Sequence, residues 1–220
     1  MTPWQILCTF ICAPHENFGQ IKPISMSVRT YYHDSLPGAT NLPHDSLPPA
    51  PSDRIATLGW QLWMLSGDNI DKQAAEIATE AGYTKPTDKI NVLASETIES
   101  AGTESVEDKV KMTAKLQASK DHYTATTSSM VLIVDGKGHY DIEDPIENKW
   151  IRVILTPGVL MHIPQGAHTR VAFENPDGFL DVLMWFNENV APSDIDWIKG
   201  EDTHGHPVRL NYLNELSTQR

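Results

Sequence analysis

The segment "SMVLIVDGKGHYDIED", residues 129–144, decides the fold. Its first half is a run of apolar and largely β-branched residues, and its second half begins after Asp135-Gly136 and Gly138. An Asp-Gly pair between two such runs is a strong local signal for a tight turn between strands. We therefore expect a strand, a turn and a second strand here, within a protein built largely from antiparallel sheet.

Four more short strands are predicted after this segment. Each is a run of apolar, β-branched or aromatic residues, and the breaks between them hold proline and glycine. The runs are 149–155, 158–164, 168–173 and 179–186. Strands at such even spacing are typical of a closed antiparallel barrel or a jelly roll.

The residues before residue 129 predict a mixed α/β lead-in. Segment 27–34 has the β-branched and aromatic residues of a strand, whereas the proline-rich segment 35–53 predicts an extended loop. A helical turn followed by an apolar stretch is expected over 54–65. The remaining helical predictions are 68–83, part of 95–119, and the segment 206–216.

The charge of the chain limits its classes of partner. It carries 17 lysines and arginines against 29 aspartates and glutamates, a formal net charge of −12 at pH 7. Nucleic acid and anionic membrane surfaces both attract positively charged proteins, so neither is an expected partner. A small-molecule substrate or ligand is the expected partner, and the sequence does not determine the oligomeric state.

The first 25 residues differ from the rest of the chain. Their apolar run, "WQILCTFIC" at 4–12, is too short to span a bilayer and lacks the basic start of a signal peptide. We therefore interpret 1–25 as an N-terminal extension that is disordered or absent from the mature protein, because Met26 also fits a natural start. Residues 26–220 are then expected to form one domain, in the cytoplasm.

Several motifs spread along the chain resemble one family when taken together. They are "VRTYYHD" (28–34), "NLPHDS" (41–46), "LGWQLWML" (58–65), "DKVKM" (108–112), "DGKGHYDIED" (135–144), "NKWIRVIL" (148–155) and "IPQG" (163–166). In this order they resemble the acireductone dioxygenases, which are cupin enzymes of methionine salvage, over about residues 27–216. The resemblance implies a mainly β fold: a double-stranded β-helix (cupin) barrel with an N-terminal α/β elaboration and a short C-terminal helix.

The resemblance also implies a metal site, because such enzymes hold Fe(II) or Ni(II) with three histidines and one glutamate. Counted without gaps from Asp135-Gly136 and from "IPQG", those four positions are Tyr123, Ala125, Ser129 and Thr169. None of these side chains is a strong ligand for such a metal. We therefore predict that the metal site has been lost and that the protein uses no cofactor. The alternative is a one-residue slip that makes His122 and His168 ligands of a rebuilt iron or nickel site.

Without a metal, the same barrel face predicts a small-molecule pocket. The catalytic candidates are Tyr123, Ser129, Thr169 and His168. The substrate pocket is expected to be completed by Ala125, Thr127, Val131, His162 and Met184. Val131 and Met184 stand where the family carries arginine, so the resemblance implies a less cationic cavity in this chain. The simplest alternative for His122 and His168 is that both are outward-facing histidines at the barrel rim.

Three hypotheses for function follow. The first is a metal-free isomerase or cyclase that keeps the barrel as a pocket for proton transfer, in specialised metabolism. The second is an acireductone dioxygenase of methionine salvage with a rebuilt metal site. The third is a non-catalytic binding protein derived from such an enzyme. The metal content of the purified protein separates the first hypothesis from the second.

Overall fold

The computed structural model describes residues 27–34, 36, 41–93, 122–175, 177–187, 189–190, 196–200 and 202–218. The predicted extension 1–25, the segment 95–119 and the motif at 108–112 lie outside these ranges, so a single domain over 26–220 stays a prediction. In chain order the strands are β1 (Thr30–His33), β2 (Asp45–Pro49), β3 (Gln61–Met64), β4 (Lys85–Pro86), β5 (Ile90–Leu93), β6 (Tyr123–Ala125), β7 (Ser129–Gly136), β8 (Gly138–Asp144), β9 (Lys149–Leu155), β10 (Val159–Ile163), β11 (His168–Ala172), β12 (Phe179–Phe186) and β13 (Trp197–Lys199). The helices are α1 (Ser52–Thr57), α2 (Ile70–Glu80), α3 (Asp202–Gly205) and α4 (Pro207–Thr218).

These strands form two antiparallel sheets that face each other. The seven-stranded sheet has the order β13-β6-β11-β8-β9-β1-β2, and the six-stranded sheet has the order β3-β10-β7-β12-β4, with β5 also paired to β12. Between β6 and β13 the chain changes sheet at every connection except the β8–β9 hairpin. The mainly β cupin fold, its N-terminal α/β part and its short C-terminal helix are confirmed.

Strand β7 shows how the two faces of a sheet are filled. The odd-numbered residues of Ser129–Ile133 face the other sheet, whereas Met130 and Leu132 face outward. Met130 and Leu132 pack with Ala74 and Ala78 of α2, in a cluster separate from the main core. Because both faces of β7 are buried, its sequence is apolar along most of its length rather than alternating.

The turn at Asp135-Gly136 is present, but it does not join two paired strands. Strand β7 pairs with β10 and β12, whereas β8 pairs with β9 and β11, so the turn is a corner between the sheets. Gly136 has a φ of +88° and lies so close to Phe179 that a Cβ would collide with its carbonyl oxygen. Glycine is therefore required here by the close approach of β12 as well as by the turn.

The proline-rich segment is not entirely a loop, because it contains β2. Strand β2 is at the edge of the seven-stranded sheet, where it pairs with β1. Pro48 and Pro49 are tolerated there, since an edge strand has one side free of ladder hydrogen bonds. In the part of the chain that the structure describes, no helix is long and apolar enough to cross a membrane.

Candidate functional site

A cavity lies between the two sheets. Its walls are mainly apolar and include Leu155, Val182, Phe186 and Trp197. The cavity has a volume of about 50 Å³, several times the roughly 10–15 Å³ that one water requires. Among the described residues that line it, none has a charged or imidazole side chain. The cavity therefore suits a small, uncharged molecule.

The four positions that the gapless count from the sequence assigned to the family's metal ligands meet at this cavity. Tyr123, Ala125 and Ser129 line it, and the Thr169 hydroxyl is 3.2 Å from that of the lining residue Tyr140. The Tyr140 hydroxyl is also 2.7 Å from the Tyr123 hydroxyl. Burial raises the pKa of both tyrosines, so both phenols are protonated at neutral pH. Neutral hydroxyls and a methyl group do not fit iron or nickel at these four positions.

The other predicted pocket residues divide into two sets. Thr127, Val131 and Met184 line the cavity, but the histidines His162 and His168 do not. Side chains alternate along a strand, and both histidines lie on the outer faces of their sheets. His162 donates from Nδ1 to a backbone carbonyl at 3.0 Å and accepts at Nε2 from a tyrosine hydroxyl at 2.8 Å. The structure thus moves His162 and His168 out of the predicted pocket.

The outer face of the seven-stranded sheet carries a buried network of charges. Asp141 accepts two hydrogen bonds from Arg152, at 2.6 and 2.8 Å, and one from Arg170 at 2.6 Å. Burial alone raises the pKa of Asp141, but the two guanidinium groups outweigh it and hold this pKa below its usual value. One carboxylate faces two guanidinium groups, so the network carries a net positive charge.

The segment 41–45 crosses this network and is fixed by it. Arg152 donates hydrogen bonds to the carbonyl oxygens of Leu42 and Pro43, and the Tyr31 hydroxyl donates to that of Pro43 at 2.7 Å. The amide of the residue after β1 also donates to the His44 carbonyl at 2.9 Å. These bonds hold His44 against the end of β1.

Three potential metal ligands meet at this point, and we call them the His33–Asp34–His44 group. Each residue offers one ligand atom, and these atoms all lie within 4.8 Å of one another. His44 Nδ1 is 2.8 Å from Asp34 Oδ1, and the two imidazole rings stack with centroids 4.2 Å apart. Atoms bound to one cation at about 2.1 Å are at most about 4.2 Å apart. The limit of 4.8 Å for this group exceeds that separation by about 0.6 Å, so the three side chains would have to move closer together to hold a cation.

The pKa shifts of His33 and Asp34 favour the protonation states that bind a metal. Burial lowers the pKa of His33 to about 4, and the nearby Arg152 and Arg170 act in the same direction against Asp141. The backbone amide of Leu36 donates to the Asp34 carboxylate and lowers its pKa. A neutral imidazole and an ionised carboxylate are the forms that coordinate a divalent cation.

A second set of histidines lies elsewhere on the same outer face. The His122 and His168 rings are stacked with centroids 5.5 Å apart, and the His204 ring is 6.1 Å from that of His168. Burial, followed by the charge of Arg209, lowers the pKa of His168 to about 4. The fold thus brings together the alternative ligand pair, His122 and His168, and their use by a metal stays a prediction.

The prediction that the protein uses no cofactor is wrong, because the His33–Asp34–His44 group offers a metal two imidazoles and a carboxylate. This group lies outside the four family positions in the barrel and does not include the alternative ligands His122 and His168. The available signal was the pair His33-Asp34 at the end of a predicted strand and His44 in the motif "NLPHDS". Nothing local in the sequence indicates that the intervening loop brings them together.

Comparison with known proteins identifies the family. The family model "ARD/ARD' family" matches residues 29–190. "Acireductone dioxygenase 1" of Coprinopsis cinerea is 30% identical over 190 residues, covering 86% of this chain and 98% of that protein. "Acireductone dioxygenase" of Emericella nidulans is 29% identical over 192 residues, covering 86% of this chain and 96% of that protein.

One solved structure that matches this chain is "Acireductone dioxygenase from Bacillus anthracis with cadmium ion in active center". It superposes with a TM-score of 0.49 and 16% sequence identity, covering 75% of this chain and 95% of that one. The family model spans most of the barrel, and the Coprinopsis cinerea relative aligns over nearly its whole length. This chain therefore belongs to the acireductone dioxygenase (ARD/ARD′) family.

Proposed function

We propose that this chain is a metal-dependent dioxygenase acting on an acireductone-type enediol, with a divalent metal bound by the His33–Asp34–His44 group. One observation carries the proposal: a member of this family holds two imidazoles and a carboxylate within 4.8 Å of one another. Two histidines and one carboxylate with open coordination positions are the ligand set of non-haem Fe(II) oxygenases. The proposal is a rebuilt metal site, at residues other than His122 and His168.

The chemistry that a bound iron or nickel ion supplies here is activation of dioxygen beside a chelated substrate. The charges of two nearby arginines favour an anionic substrate. Arg152 and Arg170 are close enough to affect the pKa of His33, and their positive charges favour a negatively charged enediolate nearby. The cavity between the sheets offers an anion no comparable partner among its described lining residues. We therefore assign the enediol to the outer face.

The relatives support the reaction class. Those from Coprinopsis cinerea and Emericella nidulans are named acireductone dioxygenases, and this chain aligns with 98% and 96% of their lengths. A small-molecule substrate is the partner that such a reaction requires. A cytoplasmic location stays a prediction.

The test measures metal content and oxygen consumption on the full chain. Protein stripped by a chelator is reloaded anaerobically with Fe(II) or Ni(II), and bound metal is counted by elemental mass spectrometry. We expect about one ion per chain, and oxygen uptake when an acireductone is added. His33→Ala and His44→Ala should each lower metal affinity and oxygen uptake by about tenfold or more, because two ligands hold the cation less tightly than three.

Two further variants make the result specific. His204→Ala is the matched control, since this exposed histidine lies outside the proposed site. His168→Ala tests the alternative pair: metal lost there but retained in His33→Ala would move the site to His122 and His168. If the wild-type chain retains no metal, or if oxygen uptake survives His33→Ala unchanged, the proposal fails.

A further inference from the structure

We infer that the cavity between the two sheets is a separate ligand site, which takes a neutral and largely apolar molecule carrying one hydroxyl group. This inference goes beyond the proposed function, because none of the three residues of the His33–Asp34–His44 group lines the cavity. The two sites lie on opposite faces of the seven-stranded sheet, one inside the barrel and one outside it.

The apolar walls of the cavity indicate that most of the ligand is apolar. Leu155 and Trp197 come from the seven-stranded sheet, and Val182 and Phe186 face them from the six-stranded sheet. All four side chains are buried, and the space between them exceeds that of a single water. A cavity with such walls holds water poorly and is stabilised by an apolar occupant.

The absence of charge from the described lining residues excludes an anionic ligand. A carboxylate or enediolate that enters would lose its hydration without gaining a counter-charge, which is strongly unfavourable. Val131 and Met184 also line the cavity, and both side chains are uncharged. The ligand must therefore be neutral.

Hydroxyl groups of the cavity wall supply a hydrogen-bonding partner for the ligand. The hydroxyls of Tyr123, Tyr140 and Thr169 form a chain linked at 2.7 and 3.2 Å. Each hydroxyl oxygen has two lone pairs, so three oxygens joined by two hydrogen bonds keep the capacity to accept another. Tyr123 and Tyr140 both line the cavity, and one of their oxygens can accept a hydrogen bond from a ligand hydroxyl. Ser129 lines the same space and adds a further hydroxyl.

Three probes of similar shape test each part of the inference. They are 2-naphthol, which has one hydroxyl, naphthalene, which has none, and 2-naphthoate, which is an anion at neutral pH. Binding to the full chain is measured by isothermal titration calorimetry. We expect 2-naphthol to bind, naphthalene to bind about fivefold to tenfold more weakly for lack of one hydrogen bond, and 2-naphthoate to bind at least about a hundredfold more weakly.

Variants locate the binding. Ala125→Phe should abolish 2-naphthol binding by filling the cavity, and Tyr123→Phe should reduce the preference for 2-naphthol over naphthalene while leaving naphthalene affinity unchanged. His204→Ala is the matched control and should bind 2-naphthol as the wild type does, because this exposed histidine does not line the cavity. Circular dichroism checks that each variant is folded.

Three outcomes would overturn the inference. They are failure of 2-naphthol and naphthalene to bind, 2-naphthoate binding as tightly as 2-naphthol, and 2-naphthol binding that a folded Ala125→Phe leaves intact. The dioxygenase proposal is tested by metal and oxygen measurements instead, so the two can fail independently.

Discussion

Replacing Asp141 by asparagine should strongly destabilise the protein, because it leaves two buried guanidinium groups without their shared carboxylate. The Asp141 side chain is 0% exposed and accepts hydrogen bonds from both Arg152 and Arg170. Asparagine has nearly the same size and shape, so the packing is retained. The substitution therefore keeps the shape of the side chain, removes its charge and replaces one acceptor oxygen by an amide donor.

The expected magnitude follows from the burial of the three groups. Removing one partner of a buried ion pair costs about 3–5 kcal/mol. Arg152 is 0% exposed and cannot be rehydrated, and Arg170 lies 4.6 Å from the centre of the Trp150 ring, which restricts its movement to solvent. We therefore expect about 4–5 kcal/mol. For a chain of this size, that loss lowers the melting temperature by about 8–20 °C.

Urea unfolding followed by circular dichroism at neutral pH measures this effect. The matched control is Glu147→Gln, which neutralises an exposed carboxylate 3.9 Å from the Lys149 ammonium and should change the free energy of unfolding by less than about 0.5 kcal/mol. If Asp141→Asn unfolds within about 1 kcal/mol of the wild type at an unchanged m-value, then the reasoning about this network is refuted.

Three further substitutions test other parts of the fold. Gly166 has a φ of +80°, and an added Cβ would lie 2.5 Å from the Val208 carbonyl oxygen. Gly166→Ala should therefore lower the melting temperature by several degrees. An unchanged melting curve would contradict this. His168 has a pKa of about 4 in the folded protein and an ordinary value when unfolded, so the unfolded chain takes up the proton first. The free energy of unfolding should thus fall as pH decreases from about 6.5 towards 4, by up to about 1.4 kcal/mol per pH unit. His168→Gln should weaken this pH dependence in denaturation curves. Leu132→Ala should lower the free energy of unfolding in urea by about 2–5 kcal/mol, because this side chain is 0% exposed beneath α2. A loss below about 1 kcal/mol would argue against tight packing there.

Residues that line the cavity could be predicted from the sequence, because successive side chains along a strand point to opposite faces of the sheet. Counting in steps of two from Asp135-Gly136 places Tyr123 and Ser129 on one face with His122 turned away. The structure has Tyr123 and Ser129 at the cavity. The same alternation could not show that the opposite face is also covered, since Asp141, Arg152 and Arg170 read as solvent-facing charges.

The local sequence pattern could not predict which strands pair with each other. The turn at Asp135-Gly136 was predicted, but β7 and β8 enter different sheets. A local Asp-Gly signal specifies that the chain reverses, whereas pairing depends on strands distant in the sequence. The proline-rich segment gives a similar lesson, because whether it can hold a strand depends on that strand being at a sheet edge.

The His33–Asp34–His44 group could not be predicted for a related reason. Asp34 and His44 are ten positions apart in the sequence, and the hydrogen bonds that Arg152 and Tyr31 donate fix Leu42 and Pro43, directly before His44. Sequence reasoning finds ligands that share one strand or one helix face. It has no rule for ligands that distant tertiary contacts bring together.

The pairing of β1 with β9 also bears on how the protein folds. The contact between Arg152 and Leu42 spans 110 residues of chain, and domains dominated by such long-range contacts fold slowly. Without β1 and the segment 41–45, β9 would be an open edge and Arg152 would be hydrated. We therefore expect the loss of water from Arg152 and Asp141 to slow the docking of β1 onto β9. The need to break these buried contacts should in turn slow unfolding, which unfolding rates in urea would measure.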